Sequence, residues 1–144
     1  KGFPVIAIQS GNVGVVGKVV TAGLDTSLVM PVYDTKCNIS ARVQNTRDIG
    51  IVSGNGSYGS PLNLQYIRKR VFDSLNHGDI VVTSGENGNY VKDVPIGRIS
   101  KIKILDYDSS LSIELEPVID FLRLENVLVV DQKNLNDKPP LAKN

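Results

Sequence analysis

The side chains that could support covalent catalysis are few in this chain. His77 is the only histidine, and it lies in Asn-His-Gly-Asp, a turn sequence. Ser84 precedes Gly85 and loosely resembles the nucleophile loop of a serine protease. A serine hydrolase needs a nucleophile, a base and an acid that orients the base, and the sequence places no acid to orient His77. We therefore predict no catalytic residues and no enzymatic activity, with a trypsin-like double-barrel hydrolase as the alternative.

Residues that bind metals and cofactors are equally scarce. Cys37 is the only cysteine, which excludes an intrachain disulfide and a cysteine-built zinc site, so we expect a small, half-buried apolar residue there. Glu114 and Glu116 fall on one face of one predicted strand, whereas glycosidase carboxylates stand across a sugar cleft. The segment 106–108, Asp-Tyr-Asp, holds too few acids for a calcium loop. The sequence predicts no metal and no cofactor.

The overall charge gives no reason to expect nucleic acid or another polyanion as a partner. The 144 residues carry 16 Lys and Arg against 15 Asp and Glu, a net charge of +1, and the eight aromatic residues are too few for a stacking platform. No apolar run approaches the roughly 18 residues that a membrane-spanning helix needs. Because the chain begins with Lys1 rather than Met, we expect it to be a piece of a longer protein.

Short strands account for most of the apolar pattern. In residues 38–44, Ile39, Ala41 and Val43 alternate with polar residues, which is typical of a half-exposed antiparallel strand. Gly17 indicates a bend within its strand and Pro31 indicates a sheet edge. Turn signals recur every 8–12 residues or so, as in all-β sandwiches and barrels. We predict an all-β fold with one helical turn at 120–125 and ten strands, at 5–8, 13–20, 27–32, 38–44, 49–52, 62–66, 80–82, 96–105, 111–116 and 127–130.

The segment 101–116 is predicted to form a hairpin with Asp108 and Ser109 at the centre of its turn. This register sets Ile104 opposite Ile113 and Lys103 opposite Glu114, and it also sets Ile102 opposite Leu115 and Lys101 opposite Glu116. All apolar pairs then share one face and both charge pairs share the other. The parity of Ile96 and Ile99 differs, so we also predict a bulge near Ser100 and Lys101.

Four segments, in the same order, resemble the rod shape-determining protein MreC family over roughly residues 4–130. They are GVVGKVV, GIVSGNG, the central GDIVVTSG with its loop and VPIGRISKI, and ELEPVIDFLRLENVLVV. The loop departs from the family pattern at Asn89, Tyr90-Val91 and Asp93, where a glycine, an aromatic-proline pair and a second glycine are usual. The resemblance implies two small β-barrel subdomains and almost no helix.

With that fold, the Gly/Ser-rich stretch at 53–61 becomes the predicted junction. We expect residues 1–60 to form the first barrel and residues 61–131 the second, with the possibility that strands cross between them. Residues 132–144 are polar and proline-containing, so we expect a disordered tail.

The resemblance also implies a function and partners. It implies a non-catalytic scaffold of the cell-elongation machinery, on the extracytoplasmic (periplasmic) side of the bacterial cell membrane and anchored by a segment absent from this chain. The implied partners are the elongation-specific transpeptidase, a penicillin-binding protein, together with MreD, MreB and further copies of the chain as a homodimer or filament. A second alternative from another class is the barrel region of an extracytoplasmic transport adaptor.

The candidate binding residues are Tyr90, Val91 and Val94. They lie in the loop between two predicted strands, and apolar residues on a loop that rigid elements hold are candidates for recognition. We predict that they contact a partner or a second copy; in the alternative, the loop folds back and caps its own barrel.

Overall fold

The computed structural model describes residues 3–85 and 91–130, and the all-β prediction is confirmed. These residues form ten strands and two short 3₁₀ helices, Lys69–Ser74 and Phe121–Arg123. No helix in these two ranges has the length and apolar character to cross a membrane. The strands are β1 (Pro4–Gln9), β2 (Asn12–Ala22), β3 (Ser27–Pro31), β4 (Asn38–Val43), β5 (Ile49–Ser53), β6 (Leu62–Gln65), β7 (Ile80–Thr83), β8 (Pro95–Ile104), β9 (Leu111–Pro117) and β10 (Leu128–Val129).

Six of the strands close into an antiparallel barrel in the order β4-β5-β6-β9-β8-β7. The alternation predicted for β4 is confirmed, because Ile39, Ala41 and Val43 are buried while Arg42 is only partly so. Each strand places every second side chain inside, and closure leaves the barrel without a free edge. Cys37 is fully buried in the same core.

The other four strands form a sheet in the order β10-β1-β2-β3. A two-residue turn joins β1 to β2, with Ser10 at φ 50° and Gly11 at φ 80°, the left-handed pair that type I′ hairpins require. Gly17 allows β3 to approach, since a Cβ there would overlap the carbonyl of Met30. Pro31 ends β3 at the edge of the sheet, as predicted.

This sheet is packed on both faces. The barrel side carries Val15, with Ile6 and Val13 partly buried against the barrel core. The opposite face carries Val5, Ala7 and Val16, and it is covered by residues 118–127, which we call the C-terminal crossing. The crossing contributes Ile119, Phe121 and Leu124 before β10 joins the edge of β1.

The predicted boundary at residues 60 and 61 falls between β5 and β6, which are hydrogen-bonded neighbours in the barrel, with Val52 opposite Leu64. Strands from both predicted halves therefore build one barrel, and the sheet combines β1–β3 with β10 from the other end of the chain. The Gly/Ser stretch folds back instead of linking two units, since a Cβ at Gly54 would overlap the backbone of Tyr33. The predicted tail at 132–144 lies outside the described residues.

The predicted hairpin register is wrong by two residues, whereas the predicted bulge is confirmed. Ile104 pairs with Leu111 instead of Ile113, and the ladder shifts between Ile99 and Lys101. The connecting loop is six residues long because its own hydrogen bonds hold it: Asp108 N donates to Leu105 O at 3.2 Å, and Ser110 N donates to Asp108 Oδ1 at 3.1 Å. A shift by two residues preserves the faces, so the inward residues of β9 are buried as predicted.

Candidate functional site

His77 and Ser84 lie beyond opposite ends of β7. Four residues of extended strand span about 13 Å, so the strand alone keeps the imidazole and the hydroxyl apart. His77 is exposed in a turn that Asp79 N closes by donating to Asn76 O at 3.1 Å. Ser84 is buried, and its backbone N donates to Ser40 O at 3.0 Å. The structure does not bring the two residues of the hydrolase alternative together.

Asp79 is a buried acid whose role the sequence did not reveal. Its residue exposure is 8%, and its Oδ1 accepts from Asn45 Nδ2 at 2.9 Å while its Oδ2 accepts from Asn76 N at 2.9 Å. Both carboxylate oxygens thus hold two turns together, which is a structural role. Asn45 is 34 positions away in the sequence, so no local signal could have identified this pairing.

The two glutamates of β9 face the outside of the barrel. Glu114 is partly buried opposite Lys101, and Glu116 is exposed opposite Arg98. Each carboxylate therefore has a basic neighbour across the ladder, an arrangement that contributes modestly to sheet stability. Within residues 3–85 and 91–130, no three His, Cys, Asp or Glu side chains gather into a group that could hold a metal ion.

The candidate binding loop follows β7, and Thr83 holds its described part to the barrel. Thr83 is fully buried, and its Oγ1 accepts from Val94 N at 2.9 Å and donates to Val91 O. The Thr83 backbone donates to Val94 O at 2.9 Å and accepts from Asp93 N at 2.8 Å. Four hydrogen bonds at one residue fix the place where the loop re-enters the barrel.

An ion pair fixes the same loop from the neighbouring strand. Arg42 of β4 donates through Nη2 to Asp93 Oδ1, and the Arg42 side chain is 16% exposed. Asp93 adopts φ 68°, a left-handed conformation that is uncommon outside glycine but that Asn and Asp adopt more often than most residues. Asp93 thus combines a left-handed backbone with a carboxylate that binds Arg42.

The loop residues predicted to bind a partner differ in their surroundings. Val94 is buried at 9% exposure and belongs to the barrel core, and Val91 is partly buried against that core. Tyr90 lies outside the described residues. The described part of the loop thus packs on its own barrel, and contact of Tyr90, Val91 and Val94 with a partner stays a prediction.

An exposed sheet edge is a feature that the sequence analysis did not weigh as a site. Among the described strands, β3 pairs with β2 on one side and has no strand on the other. Leu28 of β3 is 63% exposed. An open edge presents unpaired backbone groups that a strand of another chain can bind.

Comparison with known proteins decides the family. A model described as the barrel core of the rod shape-determining protein MreC matches residues 1–131. The chain belongs to the MreC family. The cell shape-determining protein MreC of Listeria monocytogenes is 31% identical over 121 residues, which cover 81% of this chain and 40% of that protein. The chain spans less than half the length of the curated relatives that it matches, including MreC of Bacillus subtilis.

Solved MreC structures share the fold. MreC from Pseudomonas aeruginosa aligns with a TM-score of 0.77 and 23% identity over 90% of this chain and 79% of that one. A complex between penicillin-binding protein PBP2 and MreC from Helicobacter pylori aligns with a TM-score of 0.66 and 21% identity over 84% of this chain and 74% of that one. This MreC chain therefore belongs to a family of shape-determining proteins, and its arrangement of barrel and sheet is the family fold.

Proposed function

We propose that this chain is the extracytoplasmic part of a membrane-anchored MreC scaffold, which positions or activates peptidoglycan synthesis enzymes and has no catalytic centre of its own. The observation that carries the proposal is the match to the MreC barrel core over residues 1–131. The separation of His77 from Ser84 by β7 supports a non-catalytic role. An anchor outside this chain would place the barrel and sheet in the periplasm.

The proposed partner is the elongation-specific transpeptidase, a penicillin-binding protein. Support comes from the Helicobacter pylori complex, in which an MreC of the same fold is bound to PBP2. MreD in the membrane and the actin-like MreB on the cytoplasmic side are further proposed members of the assembly. They would be reached through the anchoring segment instead of through the barrel.

The proposed contact is the loop that connects β7 and β8. Thr83 and the Arg42–Asp93 ion pair hold its described part, and a loop fixed at its base loses less entropy on binding than a free one. In this proposal Tyr90 and Val91 touch the partner, and buried Val94 anchors the loop beneath them.

The test is the affinity of the purified chain for the extracytoplasmic part of the transpeptidase, measured by biolayer interferometry. We expect the double variant Tyr90→Ala and Val91→Ala to weaken binding at least tenfold, roughly the 1.4 kcal/mol of a modest hot spot. Tyr58→Ala is the matched control, because Tyr58 is 52% exposed in the loop between β5 and β6. Absence of binding by the wild-type chain would disprove the function, whereas equal binding by the double variant would disprove only the surface.

We also propose that two copies associate through the open edge of β3, as a homodimer or as the repeat of a filament. The four-stranded sheet offers this edge, while the barrel is closed. Leu28→Lys should lower the fraction of dimer in sedimentation velocity, because a lysine on an edge strand opposes edge-to-edge pairing. Ile8→Lys is the control, since Ile8 is also 63% exposed but lies on the inner strand β1. An equal effect of both variants would contradict the β3 edge as the contact.

A further inference from the structure

A polar cleft of about 390 Å³ opens on the barrel surface between β6 and the loop that joins β8 to β9. None of its ten lining residues, all within the described chain, is Lys or Arg. β8 begins beside the candidate binding loop and ends at this cleft, so a ten-residue strand separates the two surfaces. The polar side chains at the cleft are those of Asn63, Gln65, Tyr66, Asp108, Ser110 and Ser112.

A β-bulge shapes one wall of this cleft. β6 and β9 are in register at Leu64 and Ile113, and the next contact is Leu111 N donating to Ile67 O at 2.8 Å. Gln65, the last residue of β6, and Tyr66, which follows it, therefore lie opposite Ser112 alone. Bulges redirect side chains and are frequent beside binding sites.

Tyr66 takes the left-handed position of this bulge, with φ 74°. Glycine is the ordinary residue at such a position, because a Cβ makes the left-handed conformation unfavourable. The Tyr66 residue is 64% exposed, so burial of the ring does not offset this strain. Backbone strain at an exposed residue is characteristic of functional sites.

The loop that joins β8 to β9 lines the cleft through Leu105 and Asp108 and also carries a second tyrosine. Tyr107 is 86% exposed and stands between Leu105 and Asp108, which both line the cleft. The chain has only five tyrosines and no tryptophan, and one of the five, Tyr66, lines the cleft, while Tyr107 lies in the adjoining loop and does not line it. The Asp108 carboxylate is held in place because its Oδ1 accepts from Ser110 N.

We infer that this cleft binds a neutral oligosaccharide, a ligand outside the scaffold function proposed above. A pyranose presents a face of C–H groups that packs on an aromatic ring, and its hydroxyls both donate and accept hydrogen bonds. The Tyr66 ring supplies the apolar face, and amide, hydroxyl and carboxylate groups supply the matching donors and acceptors. The volume lies within the range of small-ligand sites.

An anionic ligand is the main alternative to a neutral sugar at this cleft. Arg68 pairs with Ser110 and Lys103 pairs with Ser112 along the ladders, so two basic residues stand beside the lining positions. They are not among the lining residues themselves. The cleft surface is therefore uncharged apart from Asp108, which favours a neutral sugar over phosphate.

The experiment is a titration of the ¹⁵N-labelled chain with cellotetraose, with tetra-N-acetylchitotetraose and, separately, with inorganic phosphate. We expect the amide resonances of Tyr66, Ser110 and Ser112 to shift saturably with one of the sugars, with a dissociation constant of about 1 mM or tighter. Phosphate should leave these resonances in place. No shift with either sugar, or shifts with phosphate alone, would overturn the inference.

Tyr66→Gly separates a binding role of the ring from a structural one. Because glycine relieves the left-handed strain, we expect the melting temperature to rise by about 3 °C while sugar affinity falls at least tenfold. Tyr58→Ala, which is outside the cleft lining, should leave sugar affinity unchanged. A lower melting temperature for Tyr66→Gly would show that the ring supports the fold, and unchanged sugar affinity would rule out its contact with the ligand.

Discussion

Thr83, the last residue of β7, holds the described part of the β7–β8 loop in place through several hydrogen bonds. Its hydroxyl donates to Val91 O and accepts from Val94 N, and its backbone forms hydrogen bonds with Val94 and Asp93. The side chain is fully buried, so these hydrogen bonds are shielded from water. A buried hydroxyl that both donates and accepts is costly to remove, because its partners remain buried without a substitute.

Thr83→Val should therefore lower the free energy of unfolding by about 1–3 kcal/mol, although the two side chains have nearly the same shape. Urea denaturation followed by circular dichroism measures the change. Thr21→Val is the control, because Thr21 is exposed on β2 and surface changes stay within about 0.5 kcal/mol. Equal stability of Thr83→Val and wild type would show that the loop does not depend on this hydroxyl.

At this scale the sequence predicted residue burial better than residue partners. Alternation identified Ile39, Ala41 and Val43 as inward residues, because strand period alone determines which side a residue faces. Thr83 and Asp79 were not recognised, since their hydrogen bonds join segments that only the closed barrel brings together. Tyr66 was assigned to an ordinary strand, and its left-handed conformation depends on a bulge that local pattern does not specify.

The β8–β9 hairpin shows what a pattern of alternating residues determines at the scale of an element. The face of each residue was predicted correctly for β9, and the bulge near Ser100 was predicted from the phase change. The register was predicted wrongly, because a shift by two residues keeps every apolar side chain on its face and the pattern therefore fits both registers. The loop hydrogen bonds of Asp108 and the pairing of Ser110 with Arg68 select the observed register.

A double-mutant cycle tests that register. Lys101 lies opposite Glu114 in the structure, whereas Lys103 lies opposite Ser112. We expect the cycle of Lys101→Ala and Glu114→Ala to give a coupling of about 0.2–1 kcal/mol in unfolding free energy. The cycle of Lys103→Ala and Glu114→Ala serves as the control and should give less. A larger coupling energy between Lys103 and Glu114 than between Lys101 and Glu114 would support the register expected from the sequence.

At the scale of the whole molecule, the sheet depends on both ends of the described chain. β1, β2 and β3 come first in the sequence, yet the face opposite the barrel is covered by the C-terminal crossing. Phe121 belongs to both apolar clusters, and its ring contacts Tyr33 edge-on at 5.0 Å between ring centroids. The sequence predicted every strand of this arrangement, but composition placed a boundary inside the barrel because a Gly/Ser loop resembles a linker.

Phe121→Ala should consequently destabilise barrel and sheet together. We expect a loss of about 2–4 kcal/mol in unfolding free energy, from lost apolar burial and the cavity left behind. Leu122→Ala is the matched control at the next position, where the residue is 73% exposed, and it should change little. Two separated unfolding transitions in Phe121→Ala, with the barrel unchanged, would contradict a shared core.

The pairing of β10 with β1 also determines how the fold responds to mechanical force. Val130 N donates to Pro4 O at 2.9 Å, and the antiparallel pairs Val129–Val5 and Leu128–Ile6 follow. A load applied between Phe3 and Val130 would therefore open this ladder one pair at a time, as in unzipping, instead of shearing all its bonds together.

In optical tweezers we expect a first low-force step that releases residues 118–130, about 45 Å of extended chain. With handles on Asn38 and Pro117 the closed barrel should resist higher force. The crossing would then act as a force-sensitive cover, since its release exposes the apolar face of the sheet that carries Val5 and Val16.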